Sequence, residues 1–431
     1  MTSLLPVFRS LPLHLVQLSL SAVLKCGQSF RWTILPGASQ DDTEYWLCLR
    51  DRVVCLRQSS NTLFYRAVYP DPQPAPTQKA LRDAETLVWL NDYFQLDIDL
   101  AALYDEWTTR DPIFAKIKSR FQGIRILRQD PWENLVSFIC SSKNNIVRIT
   151  KMVQALCTHY SPPLVSFPGE DTAYHPFPPP SALAEPGVSA TLRSLGFGYR
   201  ADFIQRTAKM LVDAHPQTVL VHNHAEASEK WLMGLRDRST REAREELLKF
   251  VGVGRKVADC VLLMSLDKKE VVPVDTHVHQ IAVKHYGLKS ASASGGKKVA
   301  MTPKLYEDVN SKLFNVWGEY AGWAHSVGGM QPESESFFQF LTSFPFQVLF
   351  TADLKSFASY GLPTPSGSST PSIPSRAVDP IVLLPTPPMT PIPPQLKRPH
   401  DDTAIDMLKK FDDDFGVTSL AERVKRRRRS A

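Results

Sequence analysis

The segment from Leu247 to Ile281 constrains the fold of this chain more than any other stretch. A helical apolar pattern ends at a short turn containing Gly252 and Gly254, and a second helical pattern begins directly after it. Because glycine adopts positive φ angles and lacks a Cβ atom, both residues permit a tight turn. Backbone N–H groups at such a turn, beside a helix N-terminus, form a site for a phosphate. The pattern predicts a helix-hairpin-helix, which holds a DNA backbone without reading its sequence.

Two charged residues in this segment indicate chemistry as well as binding. Lys256 stands in the first turn of the second predicted helix, where the helix dipole disfavours a positive charge. That position suits a nucleophilic amine, which reacts in its neutral form. Asp275 follows an apolar run and precedes another predicted helix. It is therefore a helix N-cap, and the cap would also hold its carboxylate where chemistry can use it.

The hairpin, Lys256 and the Pro-Val-Asp-Thr-His segment at 273–277 resemble the helix-hairpin-helix superfamily of DNA base-excision glycosylases. Gly-Val-Gly-Arg-Lys-Val-Ala-Asp-Cys, at 252–260, is similar to the eukaryotic 8-oxoguanine DNA glycosylase/AP lyases, and further motifs of that family follow in order between residues 25 and 354. The resemblance implies an α+β protein. We expect a β-rich N-terminal domain at 1–110, a two-lobed all-α glycosylase core at 111–360 with the site between the lobes, and a disordered Pro-rich tail at 361–431.

Composition limits which cofactors, partners and membrane segments we expect. The formal net charge of +6 is consistent with a polyanionic partner. The six cysteines form no Cys-x-x-Cys pair, so we expect no metal and no cofactor. None follows Cys260, so the four-cysteine iron–sulfur cluster of some relatives cannot be built. The apolar start, residues 1–24, is interrupted by prolines and charged residues, which predicts neither a signal peptide nor a membrane span.

Local patterns predict the elements that carry the site. Alternating residues at 46–57 predict a β-hairpin, and 63–69 another strand. Helical spacing follows at 81–94, and Asp130 with Pro131 predicts the start of a helix. The Pro-rich segment 161–187 is expected to be a surface loop, and 304–324 a single helix.

The resemblance assigns four residues to recognition of the damaged base. Gly27, in Gly-Gln-Ser-Phe-Arg-Trp, would accept a hydrogen bond from N7–H of the oxidised base through its carbonyl, which normal guanine cannot donate. Cys260 would lie against the base with Lys256, forming a thiolate–ammonium dipole. His325 stands where the family has glutamine, and Phe350 matches a phenylalanine that stacks on the base. Without the resemblance, Gly27 is a simple turn glycine and Cys260 a small core residue.

A second set of residues would contact the DNA around the extruded nucleotide. The family pattern Ser-Ser-Asn-Asn-Asn lies here at 141–145, where Lys143 replaces the first asparagine. Lys143 can donate a hydrogen bond to the unpaired cytosine but cannot accept one from it. Outside the resemblance, the tyrosine in this set is a half-buried core aromatic and the arginines are solvated surface charges. The predicted DNA-binding residues are Lys143, Asn144, Asn145, Arg148, Tyr199, Arg200, Gly252, Gly254 and His277.

The implied reaction is bifunctional. A monomeric enzyme flips an oxidised purine out of duplex DNA, Lys256 displaces 8-oxoguanine opposite cytosine, and the resulting imine permits strand cleavage by β-elimination. Asp275 would stabilise positive charge on the sugar. Two alternatives stay open at this stage: a non-catalytic DNA-binding module that keeps the hairpin, and an alkylated-base glycosylase that uses the aspartate with water.

Two further segments carry hypotheses. Residues 327–347 interrupt a segment that is continuous in the family, and their ends are compatible with the start and the pyrimidine-rich end of an intron. We interpret them as a retained intron or gene-model error, and the alternative is a genuine loop insertion. The basic run at 425–429 predicts a nuclear import signal, and hence a nuclear enzyme; the alternatives are a phosphate-binding patch and a solvated tail without a partner.

Overall fold

A five-stranded antiparallel sheet forms the N-terminal part of the computed structural model, which describes residues 6–166, 173–216, 225–288 and 301–328. The strand order is β1-β5-β4-β3-β2. The strands are β1 Arg9–Pro12, β2 Thr33–Leu35, β3 Glu44–Cys48, β4 Val53–Gln58 and β5 Thr62–Val68. Helices α1 Leu20–Val23 and α2 Pro76–Tyr93 accompany the sheet. The predicted β-hairpin and the following strand are confirmed, whereas α2 begins five residues before the predicted start at residue 81.

Alternation along β3 explains how both faces of the sheet are covered. Tyr45 and Leu47 pack with the apolar residues of α1 and α2, whereas Trp46 and Cys48 face the opposite side. There Trp46 contacts the ring of Tyr174 at 5.2 Å between centroids. Tyr174 belongs to the segment that was predicted to be a surface loop. That prediction is wrong for its second half, because Tyr174 and Phe177 are buried and the segment contains a short helix.

A helical core follows the sheet and has one continuous apolar interior. Its central pair is α5 and α12, which pack against each other and are almost entirely buried. A two-stranded ribbon, β6 Val165–Ser166 and β7 Ala173–Tyr174, interrupts the helices. The helices are α3 Leu100–Arg110, α4 Pro112–Ile117, α5 Pro131–Ser141, α6 Ile146–Tyr160, α7 Pro180–Ala184, α8 Val188–Ser194, α9 Arg200–Ala214, α10 Ala227–Gly234, α11 Thr240–Leu247, α12 Arg255–Ser265, α13 Thr276–Tyr286, α14 Pro303–Trp317 and α15 Ala321–Gly328.

One predicted helix boundary is confirmed and one predicted helix is interrupted. Asp130 accepts hydrogen bonds from the N–H groups of Trp132 and Glu133, each at 2.9 Å, so the predicted start of α5 is confirmed. The single helix predicted at 304–324 is wrong, because Gly318 has a φ angle of +73° and separates α14 from α15 by a 3-10 turn. The expected α+β class and the order of sheet and helical core are confirmed. The predicted boundaries of the domains stay predictions.

Candidate active site

The helix-hairpin-helix is formed by α11 and α12. Gly252 has a φ angle of +78°, whereas Gly254 has −91° and begins α12 as its N-cap. The turn therefore uses the positive φ that glycine permits at Gly252 and not at Gly254. A Cβ atom there would lie 2.3 Å from a ring carbon of Phe203 on α9. The turn thus needs glycine at 252 for conformation and for space, whereas the backbone at Gly254 is exposed and open to a ligand.

Lys256 is the second residue of α12 and is half-buried. Its Nζ lies 5.7 Å from the centroid of the Phe138 ring, which belongs to α5. Cys260 lies one turn further along the same face and is fully buried. Burial raises the pKa of the Cys260 thiol to about 12, against the opposing effect of Lys256. In the free protein the cysteine is therefore a neutral thiol, and the implied thiolate form requires a change in its surroundings.

Asp275 caps α13, as predicted. Its Oδ1 accepts hydrogen bonds from the N–H groups of His277 at 3.0 Å and Val278 at 3.1 Å. Because both bonds end on Oδ1, the cap does not require the second carboxylate oxygen. The charge of Asp275 also contributes to raising the pKa of Cys260, since the two groups are close. The hairpin lysine, the cysteine and the capping aspartate therefore share one site.

Two histidines extend this site. His325, on α15, is 5% exposed, and His277 is half-buried at the start of α13. Burial, together with the nearby His277, lowers the pKa of His325 to about 3. His325 is therefore neutral at physiological pH and presents one donor and one acceptor nitrogen, so, like a glutamine amide, it can both donate and accept a hydrogen bond. The fourth predicted base-recognition residue, Phe350, lies outside the described residues.

The Gly27 loop approaches the site through aromatic contacts. Gly27 has a φ angle of +84°, so the turn requires glycine. The side chain of Gln28 fixes the loop, because its amide donates to the carbonyl of Arg125 and accepts from the N–H of Leu127, each at 3.0 Å. Phe30 then contacts Phe138, the residue beneath Lys256, at 6.0 Å between ring centroids.

A second cluster joins the loop after α5 to the start of α9. Tyr199 is 48% exposed and its hydroxyl donates to the carbonyl of Ser142 at 3.2 Å. Arg200 is 3% exposed; it donates to the same carbonyl and, at 3.2 Å, to that of Lys143. Lys143 is exposed with a φ angle of +49°, which is uncommon for a residue other than glycine or asparagine. The exposed Arg148 donates to the carbonyl of Gly196 at 3.0 Å, which links the same two segments.

Asn144 and Asn145 occupy different environments. Asn145 is exposed and caps α6 by accepting from the N–H of Arg148 at 2.9 Å. Asn144 is 3% exposed, donates to the carbonyl of Cys140 at 2.9 Å and accepts from the N–H of Asn145 at 3.0 Å. The Asn144 side chain is used to build the loop in the free protein, and its contact with DNA stays a prediction.

The sequence patterns missed a buried polar cluster behind Lys256. Asp259 is fully buried on α12 and accepts from Arg244 at 2.6 Å and from the Tyr306 hydroxyl at 2.8 Å. A carboxylate inside an otherwise apolar helix pattern signals such a cluster, although it does not identify the partners. Phe138 was also missed, because it is one apolar residue among many in α5 and has no local signal.

The described residues contain no group of three or more metal-binding side chains, and all six cysteines are buried and reduced. Within the same ranges, no helix has the length and apolar character that a membrane crossing requires.

Comparison with known proteins agrees with this geometry. Residues 10–135 match the family model described as the N-terminal domain of 8-oxoguanine DNA glycosylase, and residues 136–302 match that of the HhH-GPD superfamily of base excision DNA repair proteins. The chain is 38% identical over 335 residues to an N-glycosylase/DNA lyase of Saccharomyces cerevisiae, covering 74% of this chain and 85% of the relative. Identity to an N-glycosylase/DNA lyase of Arabidopsis thaliana is 35% over 327 residues, covering 75% and 79%.

Solved structures show the same fold. A structure of MBOgg1 with a low-affinity DNA ligand superposes with a TM-score of 0.57 at 26% identity, covering 74% of this chain and 93% of that chain. The Clostridium acetobutylicum 8-oxoguanine glycosylase/lyase, solved with duplex DNA containing cytosine opposite 8-oxoguanine, gives a TM-score of 0.56 at 26% identity, covering 73% and 91%. With its hairpin, its lysine and its capping aspartate in one site, this chain belongs to the N-glycosylase/DNA lyase family of base excision DNA repair enzymes.

Proposed function

We propose that this DNA glycosylase/AP lyase excises 8-oxoguanine opposite cytosine through a Schiff base on Lys256. The observation that carries the proposal is the placement of Lys256, Cys260 and Asp275 in one partly buried site at the starts of α12 and α13. A lysine and a carboxylate held this way supply a nucleophile and a stabilising charge. The relatives named N-glycosylase/DNA lyase support the pair of activities.

The reaction follows from these groups. The neutral Lys256 amine attacks C1′, the glycosidic bond breaks, and its electron pair leaves with the base, which takes up a proton. Opening of the sugar ring then gives an imine between C1′ and the lysine nitrogen. Loss of a proton from C2′ expels the 3′ phosphate and cleaves the strand. Asp275 stabilises the positive charge that develops on the sugar and assists deprotonation of the amine.

Recognition of the base is assigned to the Gly27 carbonyl, with Cys260 and His325 lining the pocket. Only a base that carries a proton on N7 can donate to that carbonyl, so normal guanine leaves an acceptor facing an acceptor. The loop that Gln28 fixes supports this role, since a rigid carbonyl cannot turn away to avoid the mismatch. Phe350 is proposed to stack on the base from the sequence resemblance alone.

Contacts to the DNA are assigned to the two segments joined by Arg200. Tyr199 is exposed and suited to wedge into the duplex, and Arg148 with Arg200 can donate to the unpaired cytosine. Because Arg200 is occupied by the carbonyls of Ser142 and Lys143, its transfer to cytosine requires this loop to rearrange. Gly252, Gly254, Asn145 and His277 are proposed to face the phosphates. We further propose a monomeric enzyme that acts in the nucleus, with the basic run at 425–429 as its import signal.

The test is borohydride trapping on duplexes that hold 8-oxoguanine opposite each of the four bases. We expect cross-linking and base release to be greatest opposite cytosine. Lys256→Gln should abolish both while lesion binding persists, because glutamine keeps the polar shape but cannot form an imine. Lys249→Gln is a matched control, since Lys249 lies in the hairpin but pairs at the surface with Glu246. If Lys256→Gln still cross-links, Lys256 is not the nucleophile.

Asp275→Asn separates the chemical role of the aspartate from its capping role. Asparagine also caps helices well, so the variant should keep the stability of the wild type. We expect base release to slow strongly because the charge on the carboxylate is lost. A near-normal rate of base release would leave Asp275 with the structural role alone.

A further inference from the structure

The segment that leads into Asp275 is buried without being part of a sheet. Val271, Val272 and Val274 are 3%, 0% and 1% exposed and lie between α12 and α13. Buried backbone N–H and C=O groups need hydrogen-bond partners, and an isolated extended segment has no neighbouring strand to supply them. The N–H of Val271 donates to the carbonyl of Lys268 at 3.1 Å. Partners for the next residues come from α14.

Two side chains of α14 take the place of a neighbouring strand. The Asn310 amide donates to the carbonyl of Val272 at 3.1 Å and accepts from the N–H of the same residue at 3.3 Å. The Tyr306 hydroxyl accepts from the N–H of Val274 at 2.8 Å. Tyr306 and Asn310 are one turn apart, so they lie on the same face of α14. The residue after Val274 is Asp275, so these bonds fix the backbone at the carboxylate.

The Tyr306 hydroxyl also reaches the helix that carries Lys256. It donates to Oδ2 of Asp259 at 2.8 Å, and Arg244 of α11 donates to Oδ1 of the same carboxylate at 2.6 Å. Burial and the Asp259 charge raise the pKa of Tyr306 well above its usual value, so the hydroxyl keeps the proton that it donates. One phenol oxygen thus joins the nucleophile's helix to the backbone beside Asp275.

We propose that Tyr306, supported by Asn310, is a positioning residue that sets the distance between the Asp275 carboxylate and the Lys256 amine. The inference rests on the proposed function, in which these two groups carry the chemistry. Reaction rates depend steeply on alignment, and a misplacement of about 1 Å costs about 100-fold. Removal of the Tyr306 hydroxyl therefore slows the chemical step, whereas lesion binding, which depends on other residues, is retained.

The experiment compares Tyr306→Phe with Tyr286→Phe in the full-length chain. The control also loses a buried phenol hydrogen bond, because the Tyr286 hydroxyl donates to Oδ2 of Asp111 at 2.9 Å, away from Val274 and Asp259. For each variant we would measure the thermal midpoint, the Kd for a duplex containing 8-oxoguanine opposite cytosine, and the single-turnover rate of base release. Both variants should lose stability, and Tyr306→Phe should lose more because its hydroxyl makes two hydrogen bonds and that of Tyr286 makes one. Only Tyr306→Phe should lose about 10- to 100-fold in single-turnover rate at unchanged Kd.

Asn310→Ala removes the other side chain of α14 that bonds to the segment before Asp275. It should also reduce the single-turnover rate of base release. If Tyr306→Phe releases base as fast as Tyr286→Phe, or loses affinity in proportion to rate, Tyr306 has no positioning role and the inference is wrong. A wild-type chain that releases base without cross-linking would instead overturn the lysine chemistry. The two failures are distinguishable, because base release by the variants is measured without trapping.

Discussion

Gly252→Ala should destabilise the protein far more than Gly254→Ala, although the two glycines are two residues apart. At a φ angle of +78°, a Cβ atom costs about 1 to 2 kcal/mol. The added methyl would also lie 2.3, 2.5 and 2.8 Å from three carbons of Phe203, including its Cβ, so rotation of the ring alone cannot relieve the overlap. Overpacking of this kind costs about 1 to 3 kcal/mol. These two costs add to about 2 to 5 kcal/mol in the free energy of unfolding of Gly252→Ala, before the smaller entropy of the unfolded chain offsets about 0.4 to 1 kcal/mol.

Gly254→Ala supplies the control. Its φ angle of −91° suits alanine, and no atom lies within 4 Å of the added Cβ. Loss of a glycine N-cap costs about 0.5 to 1 kcal/mol, and the smaller entropy of the unfolded chain offsets about 0.4 to 1 kcal/mol in either variant. Gly254→Ala should thus be near neutral in stability but weaken binding to undamaged duplex, because the methyl faces the ligand side of the turn.

Urea-induced unfolding, followed by the midpoint and the slope, measures the difference between these variants. The double variant Gly252→Ala/Phe203→Ala tests the steric part, since removal of the ring should make the pair less destabilising than the sum of its members. The reasoning fails if the two glycine variants are equally stable. If the destabilisation of the double variant equals the sum of the two single variants, the cost of Gly252→Ala comes from the backbone conformation alone and not from overlap with Phe203.

Three further predictions concern pH, the opposite base and the inserted segment. Because the pKa of His325 is lowered from 6.5 to about 3, protonation favours the unfolded chain, and the stability of the protein should fall as pH drops from about 6.5 towards 3. His325→Gln should flatten this dependence, measured by denaturant titrations at pH 7 and 5. Lys143→Asn should raise stability, since asparagine tolerates positive φ, and should increase the ratio of excision opposite cytosine to that opposite adenine; an unchanged ratio would show that the lysine is silent. Deletion of residues 327–347 should give a chain that excises 8-oxoguanine at least as fast as the full-length protein, and slower excision, or the presence of the segment in every transcript, would support a genuine insertion.

Local chemistry made part of the fold and the site predictable. Asp130 with Pro131 predicted the start of α5, and the position of Lys256 in the first turn of α12 followed from the glycines before it. These features depend on residues within one turn of each other. The break at Gly318 also has a local signal, because a glycine inside a helical pattern favours an interruption there.

The environments of adjacent polar residues were not predictable, because they depend on segments distant in the sequence. Asn144 is buried and Asn145 exposed, although they are the same residue type. Arg200 is buried beside the exposed Tyr199 because the loop at Ser142 presents its carbonyl groups to the arginine. The role proposed for Tyr306 depends on the packing of α14 beside the segment before Asp275, and no pattern within α14 indicates this packing.

Helix α9 connects the two DNA-facing parts of the proposed site. Tyr199 and Arg200 lie at its start, and one turn later the ring of Phe203 contacts Tyr199 at 5.6 Å between centroids. Phe203 also fills the space beside Gly252, and Thr207, the next residue on that face, donates to the carbonyl of Val251 at 3.0 Å. The turn proposed to hold phosphate and the residues proposed to contact the unpaired cytosine therefore pack on one helix. A shift of the hairpin would displace Tyr199 with it. A substitution that disturbs the contact between Gly252 and Phe203 should therefore reduce discrimination between opposite bases as well as affinity for the DNA backbone.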